Sequence, residues 1–234
     1  MLIKAGILGG AFNPPHIGHI ALAKAAMREL SLDCVVFIPS ASPPHKTIEG
    51  ALSFDERLLL IGISAYVITP EDMRRAAERY VEKTENDTIK RICAIYEDEY
   101  ALAHDSRLLV SDIERDLPPP SYTFDTVTAI KRENPEWDIS LIMGMDQAAM
   151  FDTWYRYEDL LSMARICAAN RPGYGDGGVA DRFPFITVFP FEEIDISSSE
   201  IRNHITDDEF AGKKISRTVL SLYRIMIQSH SGAE

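Results

Sequence analysis

The chain has 234 residues, 46% of them hydrophobic and 26% charged, which suits an ordinary compact enzyme domain with a sizeable core. Its formal net charge is −12, from 36 acidic against 24 basic residues, and this argues against a nucleic-acid binder that relies on a broad basic surface. A small phosphorylated ligand is not excluded, because a few local cations and backbone amides suffice to hold one.

In chain order, residues 3–8 form a near-continuous apolar run, the pattern of a strand covered on both faces. This run is too short and too interrupted by glycine for a signal sequence. A helix is expected near 17–30, a strand at 34–38 and a helix near 53–66. Residues 70–104 break the rhythm. They are charged and strand-poor, with Met73, Ala77, Tyr80 and Val81, then Ile89, Ile92, Cys93, Tyr96 and Tyr100, on a 3.6-residue stripe. Asn86-Asp87-Thr88 supplies a break and a cap, so the segment reads as an inserted helical hairpin. Its expected role is a packing appendage, with a substrate lid or an oligomer contact as alternatives. Further strands are expected at 108–111, 139–143, 166–169 and 185–189, with helices near 123–133 and 147–163. Two last helices near 198–206 and 216–229 make a C-terminal helical part.

Strand alternating with helix predicts an α/β fold with a doubly wound, Rossmann-like parallel sheet, as one domain spanning 1–234. Ligands on such sheets sit at the carboxyl ends of the strands. Cys34, Cys93 and Cys167 have no metal-like or redox-like spacing and read as small buried hydrophobes in a reducing compartment. No stretch approaches the ~20 apolar residues of a membrane span. The expectation is a cytoplasmic protein with no nucleic-acid or membrane partner.

The strongest chemical signal is Gly9-Gly10-Ala11-Phe12-Asn13-Pro14-Pro15-His16-Ile17-Gly18-His19. A buried strand ends in two glycines and a helix opens near His16, so backbone amides and a positive dipole end can approach an anion. His16 and His19, three apart, share one helix face and can donate to phosphate oxygens. Near the other end, Ile196-Ser197-Ser198-Ser199-Glu200-Ile201-Arg202 puts serines at a helix start and an arginine on its first turn, a phosphate clamp.

These two segments resemble the signatures of the HxGH nucleotidylyltransferase superfamily, His-x-Gly-His and ISSTxIR, with Ser199 in the threonine position. His-Ile-Gly-His also occurs in class I aminoacyl-tRNA synthetases. This chain, however, has no KMSKS-like lysine loop or anticodon-binding domain, and it is acidic. Further landmarks are Pro43-Pro44-His45-Lys46, Arg57, Ser111-Asp112-Ile113-Glu114, Ser121-Tyr122-Thr123, Gly144-Met145-Asp146, Trp154-Tyr155 and Arg171-Pro172-Gly173. In this order they resemble bacterial-type nicotinate mononucleotide adenylyltransferase over nearly the whole chain except 70–104. The stretch before the last helix, Lys214 to Val219, lacks the proline common there in that family.

The resemblance implies transfer of AMP from ATP to nicotinate mononucleotide, giving nicotinate adenine dinucleotide and pyrophosphate for NAD biosynthesis. It places Gly9, Gly10, Phe12, His16, Gly18, His19, Gly144, Asp146, Ser198 and Arg202 at ATP, with His16, His19 and Arg202 catalytic. Lys46, Thr123, Trp154, Tyr155 and Arg171 fall on the acceptor side, with Trp154 stacked on the pyridine ring. Mg2+ is expected on the phosphates, held by substrate oxygens and water with no protein metal cage. A sister transferase using nicotinamide mononucleotide, phosphopantetheine or another phosphate acceptor is the alternative. A non-enzymatic nucleotide sensor is another, and a homo-oligomer is open.

Overall fold

The computed structural model describes residues 2–43, 52–80, 86–170, 177–192 and 194–231. In chain order it runs β1 (Ile3–Gly10), α1 (Ile17–Glu29), β2 (Cys34–Pro39), α2 (Phe54–Ser64), α3 (Pro70–Ala77), α4 (Asn86–Ala103) and β3 (Leu108–Val110). A 3-10 turn at Ile113–Asp116 leads to α5 (Thr123–Glu133), β4 (Trp137–Gly144) and α6 (Met145–Ala148). A second 3-10 turn at Phe151–Thr153 precedes α7 (Tyr157–Met163), β5 (Arg165–Asn170), α8 (Val179–Arg182) and β6 (Thr187–Pro190). Then come α9 (Ser198–Asn203), α10 (Asp208–Ala211) and α11 (Arg217–Ser231).

The strands form a six-stranded sheet in the order β3-β2-β1-β4-β5-β6. Ile7 pairs with Val36 on one side and Leu141 on the other, and the β2–β1, β1–β4, β4–β5 and β5–β6 ladders are all parallel. All six residues of β2 are buried, which is why its sequence is apolar without alternation. Strand order reverses between β1 and β4, so the ends of these two strands form the topological switch point. Gly9-Gly10 closes one and Gly144 closes the other.

The chain divides into two compact units. The first comprises Met1–Ala11, Ala21–Thr47 and Ser111–Ile194. Its core is built from the inner residues of the strands, such as Ile7, Phe37, Leu141 and Cys167, with Ala23 of α1, Val127 of α5 and Leu160 of α7.

The second unit comprises Phe12–Ile20, Ile48–Val110 and Asp195–Glu234, and it has a separate cluster of buried residues. Leu60 and Ile63 of α2, Met73 and Ala77 of α3, Ile92, Cys93 and Tyr96 of α4, and Val219, Leu222, Tyr223 and Met226 of α11 meet there. Two helices, α3 and α4, occupy the segment expected to form a hairpin. Thr69 caps α3 by accepting from the Asp72 N–H, Pro70 opens it, and Arg74 pairs with Glu97 across the two helices at 3.1 Å. Val81, expected on its stripe, lies outside the described residues.

Two helix expectations need correction. The single helix expected over 147–163 is broken into α6, a 3-10 turn and α7, with Arg156 in the left-handed region at φ 54°. The helix expected over 198–206 stops at Asn203, and Asp207 then caps the short α10 by accepting from Glu209 and Phe210. All three cysteines are buried and free. Among the described residues, no helix is long and apolar enough to cross a membrane.

Candidate active site

In the second unit, the turn that follows β1 carries the first signature. Phe12 adopts φ 48°, unusual for a side chain with a Cβ, and its ring is buried with its centroid 4.9 Å from that of His19. α1 starts at Ile17, so His16 sits at the cap and His19 on the first turn. The two imidazoles do share one face, with ring centroids 3.7 Å apart and planes inclined by 30°. His19 Nδ1 accepts the His16 backbone N–H at 3.1 Å, as a third-residue side chain does in a capping box. That bond needs an unprotonated Nδ1, which leaves the His19 proton on Nε2 as a donor. Gly18 leaves room for this packing, since a Cβ would stand 3.0 Å from His16 Nδ1 and 3.2 Å from Ile196 Cγ2, closer than most side-chain contacts.

Both histidines are neutral at pH 7. Burial first, and then the Lys214 cation, lower the His16 pKa to about 4. Burial first, and then His16, hold His19 well below the usual histidine value. The pair is therefore built to donate hydrogen bonds, not to present charge.

The second signature folds directly onto this turn. Ser197 caps α9 by accepting the Glu200 N–H at 3.1 Å. Ser198 Oγ then donates to the Pro14 carbonyl at 2.8 Å, and Arg202 Nη1 donates to the Asn13 carbonyl at 2.7 Å. Arg202 Nη2 donates to Ser199 Oγ at 3.0 Å, so the hydroxyl in the family's threonine position orients the guanidinium. Lys214 adds a cation that sequence reasoning missed. Its carbonyl accepts the Ile17 N–H at 3.0 Å, while its ammonium lies 3.4 Å from Glu200 and over the Phe210 ring. The only signal for it in the sequence was a Lys-Lys pair ahead of the last helix.

The first unit contains a cavity of about 490 Å³ at the switch point, lined by Gly9, Gly10, Thr123, Asp146, Trp154 and Tyr155. Each of these six was expected from the sequence. Gly144 leaves space for the Asp146 carboxylate, since a Cβ there would lie 2.6 Å from Asp146 Oδ1. Tyr155 packs on Tyr122 with centroids 4.4 Å apart, and the Trp154 ring lies 5.5 Å from that of Phe151. Tyr122, at the cap of α5, makes no side-chain hydrogen bond to the first turn, so the positive end of the α5 dipole adjoins the cavity wall at Thr123.

Not every landmark joins these groups. Asp112 is exposed and pairs with Arg115 at 3.3 Å, and buried Arg57 donates to the Leu52 carbonyl at 3.3 Å. Lys46, His45 and Arg171 lie outside the described residues. Among the described residues, no group of three or more His, Cys, Asp or Glu is placed to hold a metal ion.

Comparisons with known proteins bear on the family and the fold. The cytidylyltransferase-like family model matches residues 7–204. A protein of Listeria monocytogenes serotype 4b (strain F2365), named "Probable nicotinate-nucleotide adenylyltransferase", is 31% identical over 207 residues, 86% of each chain. One of the same name from Shouchella clausii (strain KSM-K16) is 31% identical over 202 residues, 86% of this chain and 84% of that one. In fold, the chain is similar to Plasmodium falciparum nicotinic acid mononucleotide adenylyltransferase complexed with NaAD, with a TM-score of 0.62, 15% identity, and coverage of 97% and 96%. With both signatures intact and a family match over most of its length, the chain belongs to the nicotinate-nucleotide adenylyltransferases of the cytidylyltransferase-like family.

Proposed function

We propose that the protein transfers the adenylyl group of ATP to nicotinate mononucleotide, releasing pyrophosphate, in the cytoplasmic synthesis of NAD. The observation that carries this reading is the clasp of Ser198 and Arg202 on the Asn13-Pro14 turn that leads into His16. It gathers two imidazole donors and a guanidinium within one unit, a set suited to a polyphosphate.

A phosphate oxygen of the mononucleotide attacks the α-phosphorus of ATP. One P–O bond forms, the bond to the β-phosphate oxygen breaks, and pyrophosphate carries away the electron pair. The nucleophile is already an anion, since a phosphate monoester has its second pKa at about 6. No general base is needed, and catalysis consists of alignment and neutralisation of the charge on the leaving pyrophosphate. His16, His19 and Arg202 supply that neutralisation, with Gly9, Gly10, Phe12, Gly18 and Ser198 shaping the approach to ATP. Magnesium enters with ATP as part of the substrate.

The acceptor reading rests on the cavity. Trp154 offers an aromatic face for a pyridine ring, while Asp146, on the ATP side, offers its carboxylate to the adenosine ribose hydroxyls. The α5 N-terminus at Thr123, with the backbone at Tyr155, favours an anionic ring carboxylate over a neutral amide. Lys46 and Arg171 complete the acceptor side of this proposal.

The test is pyrophosphate release from magnesium-ATP with nicotinate mononucleotide, nicotinamide mononucleotide or phosphopantetheine. Release is expected to be at least about tenfold more efficient with the acid than with the amide. Preference for another acceptor would overturn the acceptor assignment and leave the ATP assignment standing. His19→Ala should lower turnover by about a hundredfold or more, as loss of a transition-state donor does. Near-normal turnover of that variant would sink the histidine assignment.

A further inference from the structure

Glu114 was no more than a landmark in the sequence, but the first unit places it on the wall of the cavity, only 6% exposed. It stands on the 3-10 turn after β3, and both of its carboxylate oxygens are engaged. Oε2 accepts the Ala41 backbone N–H at 2.9 Å, and Oε1 accepts the Thr126 hydroxyl at 2.9 Å. Ala41 belongs to the segment leaving β2, and Thr126 lies on the first turn of α5. Next to this bridge, the Ser121 N–H donates to the Ser42 carbonyl at 2.8 Å, and the Ser42 N–H donates to Ser121 Oγ at 3.2 Å. Ser40 N–H donates to the Gly10 carbonyl at 2.9 Å. One buried carboxylate thus joins the segment that leads to Pro43 to the helix that begins at Thr123.

We infer that Glu114 is a positioning residue for the acceptor: by bridging Ala41 and Thr126 it fixes the wall of the cavity against the N-terminus of α5. Hydrogen bonds to an ionised group are the strong ones, and a low-dielectric surround strengthens them further. A cavity wall held this way needs no reorganisation when the mononucleotide enters. The inference rests on the reading of this cavity as the acceptor site.

Glu114→Gln keeps the shape but turns an NH2 toward one of the two donors. It should raise the KM for nicotinate mononucleotide by about tenfold, the effect of losing one charge-assisted hydrogen bond. Turnover at saturation and the KM for ATP should stay within about twofold, because the histidine cluster is untouched. Thr126→Val should move the acceptor KM in the same direction, and Thr126→Ser, which keeps the hydroxyl, should retain the wild-type value. Hydrogen exchange at the Ala41 amide should be slow in the wild type and faster in Glu114→Gln. An unchanged acceptor KM in Glu114→Gln would overturn the inference. So would a joint change in turnover and both KM values that tracks a fall in Tm, the mark of a merely structural role. Should the wild type fail to use nicotinate mononucleotide at all, the reading of the function fails. The bridge is then judged by amide exchange, and unchanged exchange at Ala41 in Glu114→Gln overturns it.

Discussion

At the scale of single residues, the histidine pair shows how burial prepares a donor. A protonated His16 would have to coexist with Lys214, and burial strips it of the water that would screen the two. Its pKa near 4 lies below the unfolded value of 6.5, so the folded state binds the proton less readily. The stability it contributes is therefore present in full above pH 6.5 and is lost as pH falls toward 4. Across that window the loss is on the order of 3 kcal/mol. His16→Gln removes the titration while keeping a polar side chain. In urea unfolding, the wild type should lose stability relative to His16→Gln between pH 6.5 and 4, with the contribution of the carboxylates cancelling in the difference. A constant gap between the two proteins across that range would show that His16 titrates normally.

At the scale of elements, much of the sheet was legible because its strands are covered on both faces and so read as unbroken apolar runs. The break inside 147–163 was not legible. No glycine or proline marks it, and Arg156 takes the left-handed conformation although arginine does not favour it. The site was legible where sequence places groups side by side, as in His16-Ile17-Gly18-His19. It was less so where tertiary folding supplies the partner, as with Lys214 beside His16 and Glu114 beneath Ala41. The start of α11 is another such case. Glu99 of α4 accepts the Arg217 N–H at 3.1 Å and the Thr218 hydroxyl at 2.9 Å. The inserted hairpin thereby caps the C-terminal helix with a negative charge at its positive end. Glu99→Gln should cost about 1 kcal/mol, or a Tm drop of about 2–4 °C for a protein of this size, with turnover unchanged. A Tm equal to that of the wild type would mean that the cap contributes nothing.

At the scale of the whole molecule, the chain builds the core of its second unit from segments far apart in sequence. α2, α3 and α4 come from the middle of the chain and α11 from its end, and Ile201 brings the second signature into the same cluster. The hairpin therefore cannot be a detachable appendage. Met73, Ala77, Ile89, Ile92, Cys93 and Tyr96 all lie within that core, and Tyr80 and Tyr100 pack against it. Burying six such side chains is worth on the order of 10 kcal/mol, comparable with the whole net stability of a typical domain. Excising residues 72–102 and joining the ends should accordingly leave the second unit unfolded, with the α11 face exposed and the Ser198–Arg202 clasp lost. The expected signs are a fall in helical circular dichroism beyond the helices removed, binding of a hydrophobic dye, and loss of ATP binding. A deletion variant that kept a cooperative melt near the wild-type Tm and still released pyrophosphate would show that the core closes without the hairpin. Glu99→Gln separates the two roles of the insertion, because it weakens the cap of α11 while leaving all six buried side chains in place.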